Sequence, residues 1–91
     1  MERKEVEKVV KETIFEKMGE FTGLNHAAGI NNEDDLETDM GMDFLDFVEV
    51  VMGIEEKMDI RIPDDVFGDK SVDELTIGIF VDMLYDWVKG K

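Results

Sequence analysis

The residues of this sequence that could carry out acid–base or metal chemistry are concentrated in an acidic stretch that precedes a strongly apolar run. They are Asp34, Asp35, Glu37, Asp39 and Asp43. Two neighbouring carboxylates can act as general acid and base, and several together can bind Ca²⁺. The spacing of a calcium loop is not met, because placing Gly41 at the sixth position puts Leu36 first and Phe47 twelfth, where oxygen ligands are required. We therefore expect a solvated acidic loop.

Nucleophilic and phosphate-binding motifs are absent from the sequence. His26 is the single histidine, the chain has no cysteine, and no serine lies near His26. A nucleophile needs a base within hydrogen-bonding reach, and a phosphate-binding loop needs Lys and Ser or Thr after its glycines. The sequence therefore predicts neither an enzyme nor a bound metal ion.

Charge and composition limit the classes of partner. The chain has 91 residues, with 24 Asp and Glu against 10 Lys and Arg, which gives a net charge of -14. Such a charge disfavours nucleic acid and anionic membrane surfaces, which attract Lys and Arg, and it favours a basic protein surface. Because 43% of the residues are hydrophobic and no apolar run is long enough to span a membrane, we expect one folded, cytoplasmic domain over residues 1–91.

The elements that position the acidic stretch can be inferred from the spacing of apolar residues. Apolar positions three and four residues apart predict a first amphipathic helix from about Glu2 to Met18. Gly19 and Gly23 then predict a long connection that ends near Asp43 and contains a short helical turn. The apolar residues of this connection are expected to pack on the core; they are Phe21, Leu24, Ile30 and Leu36.

A second helix is predicted from Phe44 to Met58, with Asp43 as its N-cap. Its spacing predicts two adjacent core-facing rows, Leu45, Val48 and Met52 in one and Phe47, Val51, Ile54 and Met58 in the other. The remaining positions form a narrow, largely acidic solvent stripe, which comprises Asp46, Glu49, Gly53 and Glu56.

The C-terminal part of the chain is predicted to be helical as well. Ile60 and Ile62 alternate with charged residues, but an isolated strand has no partner, so we expect an extended connector. Pro63 predicts the first position of a short helix that ends by Gly68. Ser71 and Glu74 have the spacing of a capping box and predict the start of the last helix. Its apolar face comprises Val72, Leu75, Ile79, Phe80, Met83, Leu84 and Trp87.

Methionine serves both as core filler and as adaptable contact surface. Met52, Met58 and Met83 lie on predicted core faces. Met40 and Met42 flank Gly41 just before the second helix. We expect these two side chains to be exposed beside the acidic patch and to contact a partner.

The stretch from Leu36 to Met52 resembles the signature of acyl carrier proteins, which is an acidic run followed by Asp-Leu-Gly-x-Asp-Ser-Leu-Asp and an amphipathic helix. The positions in register are Asp39, Gly41, Asp43, Leu45, Asp46, Val48, Glu49 and Met52. The resemblance continues through Glu55, Glu56, Ile62, Pro63 and Asp64, with Met58 in place of a Phe, and reaches Ser71 and Val72. It implies an all-α fold, a four-helix bundle of three long helices and one short helix, with a long loop between helices one and two.

The resemblance fails at the position that matters most for a carrier. Family members have a serine directly after the residue that corresponds to Asp43, and its hydroxyl holds 4'-phosphopantetheine. Here that position is Phe44. A phenyl ring has no nucleophilic oxygen, so the group cannot be attached there and we expect no cofactor. Burial of the ring in the cleft of the bundle would contribute about 2 kcal/mol and would fill the cleft.

The acidic docking surface of the family does carry over to this sequence. The residues expected to bind a partner are Asp43, Phe44, Asp46, Glu49, Glu55, Glu56, Met40 and Met42. The resemblance implies basic surfaces of acyl-transfer or other biosynthetic enzymes as partners, and we expect a monomer. The favoured interpretation is a non-carrier interaction protein. The alternatives are a genuine carrier of a fatty-acid or polyketide-type pathway with Phe44 as a sequence variant, a noncovalent acyl-chain binder, and a structural assembly subunit.

Overall fold

The computed structural model describes residues 2–22, 29–68 and 70–90, without the side chains of residues 20–22 and 64. Helix α1 is Arg3–Thr22, α2 is Phe44–Met58 and α3 is Ile77–Lys89. Two short 3₁₀ helices, Asp64–Phe67 and Val72–Glu74, lie between α2 and α3. Within the described ranges the only β feature is an isolated bridge between Asp35 and Thr76. The prediction of an all-α, acyl-carrier-like helical bundle is confirmed.

Helix α1 buries its apolar stripe and extends further than predicted. Val6, Val10, Ile14 and Met18 are buried in the core. The predicted end at Met18 is wrong, because the helix continues to Thr22. Gly19 does not break it: the ring of Phe15 lies 3.0 Å from where a Cβ of Gly19 would be. The glycine therefore makes room for an aromatic ring packed along the same helix.

Helix α2 begins and ends at the predicted residues. The Asp43 carboxylate accepts the Asp46 N–H at 2.8 Å, and the Asp46 carboxylate accepts the Asp43 N–H at 3.2 Å. This reciprocal capping box satisfies two donors of the first turn. At the other end Asp59 adopts the left-handed conformation, with φ 54°, and its N–H donates to the Glu55 carbonyl. These caps fix the length of the helix.

Helix α1 packs closely against α2 at one small residue. A Cβ at Gly53 would lie 2.8 Å from the methyl carbon of the buried Thr13. The Thr13 hydroxyl donates to the Val9 carbonyl at 2.7 Å, which holds that side chain in place. Gly53 was predicted to lie in the solvent stripe, and that prediction is wrong because this residue faces α1.

The last helix begins later than the sequence predicts. The Ser71 and Glu74 capping box is present, but it caps the Val72–Glu74 3₁₀ helix. The backbone is then extended at Leu75, and α3 starts at Ile77 with Thr76 as its N-cap. The reason is tertiary: the Leu75 carbonyl accepts the Leu36 N–H at 3.1 Å, and the Asp34 backbone carbonyl accepts the Ile77 N–H at 2.9 Å. Pro63 likewise lies just before the Asp64–Phe67 helix and not at its first position.

The connection between α1 and α2 contributes to the same core. Ile30 and Leu36 are buried, as predicted. The side chains of Phe21 and Leu24, for which the same was predicted, lie outside the described residues, and so does His26. A helical turn precedes α2, in which the Gly41 N–H donates to the Glu37 carbonyl at 3.0 Å. None of the described helices combines the length and the apolar character that a membrane crossing requires.

Candidate functional site

The exposed side of α2 carries an apolar strip. Its residues are Phe44, Leu45, Val48 and Met52, with exposed fractions of 69%, 70%, 37% and 55%. The prediction that Leu45, Val48 and Met52 face the core is wrong. Val50 and Ile54 are the fully buried positions of α2 instead. An exposed apolar strip on one helix is typical of a contact surface.

A groove of about 800 Å³ runs beside this apolar strip. One wall is formed by α2, and the other by Arg61, Ile62, Pro63, Phe67, Gly68 and Lys70. Beneath it the rings of Phe47 and Phe67 lie 5.5 Å apart, and Phe67 is 4.7 Å from Phe80. Phe47 and Phe67 line the groove and pack on the buried Phe80, so the groove lies against the aromatic part of the core.

Phe44 lies at the rim of the groove with its ring turned outward. It lines the groove and is nevertheless 69% exposed. The ring therefore does not turn inward to fill the cleft. The interior position is already taken by Phe47, which contacts both Phe67 and Phe80 edge to face. Phe44 is left available for contact.

The acidic residues expected to bind a partner fall into two groups. Asp43 and Asp46 are engaged in the capping box, and the Glu55 carboxylate accepts the Ile62 N–H at 2.7 Å. These side chains hold α2 and the following segment in place. Glu49 and Glu56 are exposed, and their carboxylates form no hydrogen bond or ion pair with the described residues. Of the five, these two are the ones whose carboxylates have no hydrogen-bond or ion-pair role among the described residues.

Met40 and Met42 do not belong to the exposed surface. Their exposed fractions are 4% and 1%. Gly41 lies between them at φ 69°, a left-handed conformation that lets the chain turn tightly into α2. The Met42 N–H donates back to the Leu36 carbonyl at 3.0 Å, which draws the turn onto the core. The predicted exposure of both methionines is wrong.

Two cations line the wall of the groove opposite α2. Arg61 and Lys70 are exposed there, and neither side chain forms an ion pair with the described residues. Lys57 differs, since it bonds to Glu16 of α1. Sequence reasoning missed both groove cations, because its search followed the acidic side chains. Their isolation among many carboxylates was the signal that could have identified them.

The start of α2 offers no hydroxyl to which a phosphate group could be esterified. Phe44 has no oxygen, and the hydroxyls of Ser71 and Thr76 serve as helix caps. These residues do not fit covalently attached phosphopantetheine. The acidic loop likewise uses carboxylates internally, since Asp39 accepts the Asp35 N–H at 2.7 Å. Among the described residues, no three or more His, Asp or Glu side chains lie close enough together to hold a metal ion.

Comparison with known proteins gives one family match. The family model described as "Phosphopantetheine attachment site" matches residues 12–79, which is more than half of the chain. The matched range includes α2, the Asp64–Phe67 helix and the residues that line the groove. No solved structure matches the chain.

Proposed function

The chain belongs to the phosphopantetheine attachment site family, and we propose that it is an acyl-carrier-like domain that acts as a non-carrier interaction protein. In this proposal it docks basic surfaces of biosynthetic or acyl-transfer enzymes through α2. The family membership supports the fold, and the exposed apolar and acidic side chains of α2 support docking on a basic partner. Phe44, at the position of the attachment serine, removes the carrier chemistry.

The observation that carries this proposal is the exposed apolar strip flanked by acidic side chains. Phe44, Leu45 and Met52 are each more than half exposed, and they lie on one side of α2. Glu49 and Glu56 follow one edge of the strip at helical spacing. Apolar anchors provide contact area, whereas charged rim residues accelerate association and select the partner. A solvated helix face would not need four large apolar side chains in water.

A competition assay tests this docking. A promiscuous phosphopantetheinyl transferase modifies an ordinary acyl carrier protein, and the present protein is added as a competitor. We expect inhibition that is competitive with the ordinary carrier and that falls several-fold in Glu49→Lys with Glu56→Lys. The matched control is Glu5→Lys with Asp86→Lys, which changes the net charge equally at exposed positions of α1 and α3. If inhibition falls equally in both double variants, the effect comes from net charge alone, and docking through α2 is contradicted.

Noncovalent acyl-chain binding is a second candidate, which the open groove favours. With Phe44 turned outward, about 800 Å³ lies next to Val48, Val51 and Met52. That volume is in the range of small-molecule sites. Titration with a medium-chain fatty acid, followed by methyl NMR, should shift Val48, Val51 and Met52 while leaving Val6 and Val10 of α1 unchanged. Absence of shifts at saturating fatty acid would exclude this candidate.

A further inference from the structure

The cations Arg61 and Lys70 are unusual in their position. The chain has 10 basic residues against 24 acidic ones, yet two of the basic side chains stand beside the apolar strip without a described ion-pair partner. A surface that only had to attract basic enzymes would gain nothing from them, because like charges across an interface are unfavourable.

The exposed charges divide the docking face into two edges. The acidic edge is Glu49 and Glu56, on the far side of the apolar strip from the main groove. The basic edge is Arg61 and Lys70, on the opposite wall of the groove. At the C-terminal end of α2, Met52 and Glu55 lie between the two edges, and Glu56 and Arg61 line the same open depression with them. The Glu55 carboxylate is bonded to the Ile62 N–H, so the unpaired charges across the face are acidic on one side of the apolar strip and basic on the other.

We propose that this face fits an amphipathic helix of a partner protein that has a basic edge and an acidic edge on either side of its apolar side chains. This inference rests on the proposed function, because it describes the partner that docks on α2. The partner's apolar side chains would enter the groove beside Val48 and Met52. Its basic edge would lie along Glu49 and Glu56, and its acidic edge along Arg61 and Lys70.

The charge order gives selectivity as well as attraction. A uniformly basic helix meets Glu49 and Glu56 favourably but also places cations against Arg61 and Lys70. A helix with one edge of each sign avoids that repulsion, and specificity of this kind depends on the unfavourable contact in the wrong partner. The same order fixes the direction in which the partner helix lies, since turning it end for end exchanges its edges.

Two synthetic helical peptides with identical apolar positions test this inference. One has a Lys edge and a Glu edge and no net charge, and the other has Lys on both edges. Binding is measured by fluorescence anisotropy at 0.15 M salt for the unmodified protein and for Arg61→Gln with Lys70→Gln. We expect that double variant to bind the two-edged peptide about three- to ten-fold more weakly, which is the range for one or two ion pairs at the rim of an interface. The same variant should bind the all-Lys peptide more tightly. The control Lys4→Gln with Lys8→Gln, at exposed positions of α1, should leave the two-edged peptide unchanged.

The outcomes separate this inference from the proposed function. If the all-Lys peptide binds at least as tightly and Arg61→Gln with Lys70→Gln weakens neither peptide, the two-edged partner is refuted while docking through α2 stands. Docking itself is tested by Val48→Glu with Met52→Glu, which should abolish the binding of both peptides. If neither peptide binds the unmodified protein, or if Val48→Glu with Met52→Glu has no effect, the inference and the proposed function both fail.

Discussion

Replacing Phe44 with serine should separate the contact surface from the stability of the fold. Full burial of a Phe side chain contributes about 1.5–3 kcal/mol. Phe44 is 69% exposed, so only about a third of its surface leaves water on folding, and the expected loss is at most about 1 kcal/mol. Serine at the first helical position is compatible with the Asp43 capping box, which does not involve the Phe44 side chain.

The matched comparison is Phe67→Ser, in which an aromatic ring is removed from the same groove but from its floor. Phe67 is only 5% exposed and contacts both Phe47 and Phe80. Truncation of a buried Phe costs about 3–5 kcal/mol, and serine adds a buried hydroxyl to that cost. Phe67→Ser should therefore lose several times more stability than Phe44→Ser.

Urea denaturation followed by far-UV circular dichroism measures both variants under the same conditions. The expected result for Phe44→Ser is a midpoint close to that of the unmodified protein with the same slope. In thermal unfolding its Tm should fall by no more than about 8 °C. A loss of 2 kcal/mol or more in Phe44→Ser would refute the outward ring, and with it the contact role assigned to Phe44.

Three further perturbations test other parts of the structure. Gly53→Ala should destabilise the protein by about 1–2 kcal/mol in urea titration, although alanine has the better helix propensity, because its Cβ would lie 2.8 Å from the methyl carbon of Thr13. Adding Thr13→Ala to the same chain should restore stability. Failure of this second substitution to restore stability would contradict the close contact. Glu55→Ala should lower the free energy of unfolding by about 1–3 kcal/mol and speed hydrogen exchange of the Ile62 amide, because that amide loses a charged acceptor at 2.7 Å. An unchanged exchange rate would show that this bond is not formed. Added NaCl or MgCl₂ should raise the Tm, because a net charge of -14 repels itself and ions screen that repulsion; a Tm independent of salt would contradict this reasoning.

The parts of the fold that depend on neighbouring residues could be predicted from the sequence. Helix α2 is the clearest case, since Asp43 and Asp46 form the cap with each other and the apolar run ends at a local left-handed turn. The start of α3 could not be predicted in this way. Ser71 and Glu74 do form their local box, but the backbone from Leu75 to Ile77 bonds to the segment from Asp34 to Leu36, which is distant in sequence.

The candidate site was harder to predict, because an interface and a core use the same residue types. Leu45, Val48 and Met52 have the spacing of a buried row, and no property of α2 alone shows that nothing packs on them. The prediction for Met40 and Met42 was wrong in the opposite sense. Their charged neighbours suggested exposed side chains, whereas the turn at Gly41 places both in the core. Which apolar side chains reach the core depends on how the helices pack, and a single-helix pattern does not contain that information.

Intact mass spectrometry tests the central claim of a non-carrier that keeps its docking surface. Masses are measured for the protein as isolated. They are measured again for the unmodified protein and for Phe44→Ser after incubation with coenzyme A and a promiscuous phosphopantetheinyl transferase. We predict that only Phe44→Ser gains the phosphopantetheine mass. A phosphopantetheine mass on the unmodified protein, either as isolated or after incubation, would contradict the claim that it is not a carrier. If a folded Phe44→Ser protein does not gain this mass, the claim that α2 still docks the family's partners is contradicted.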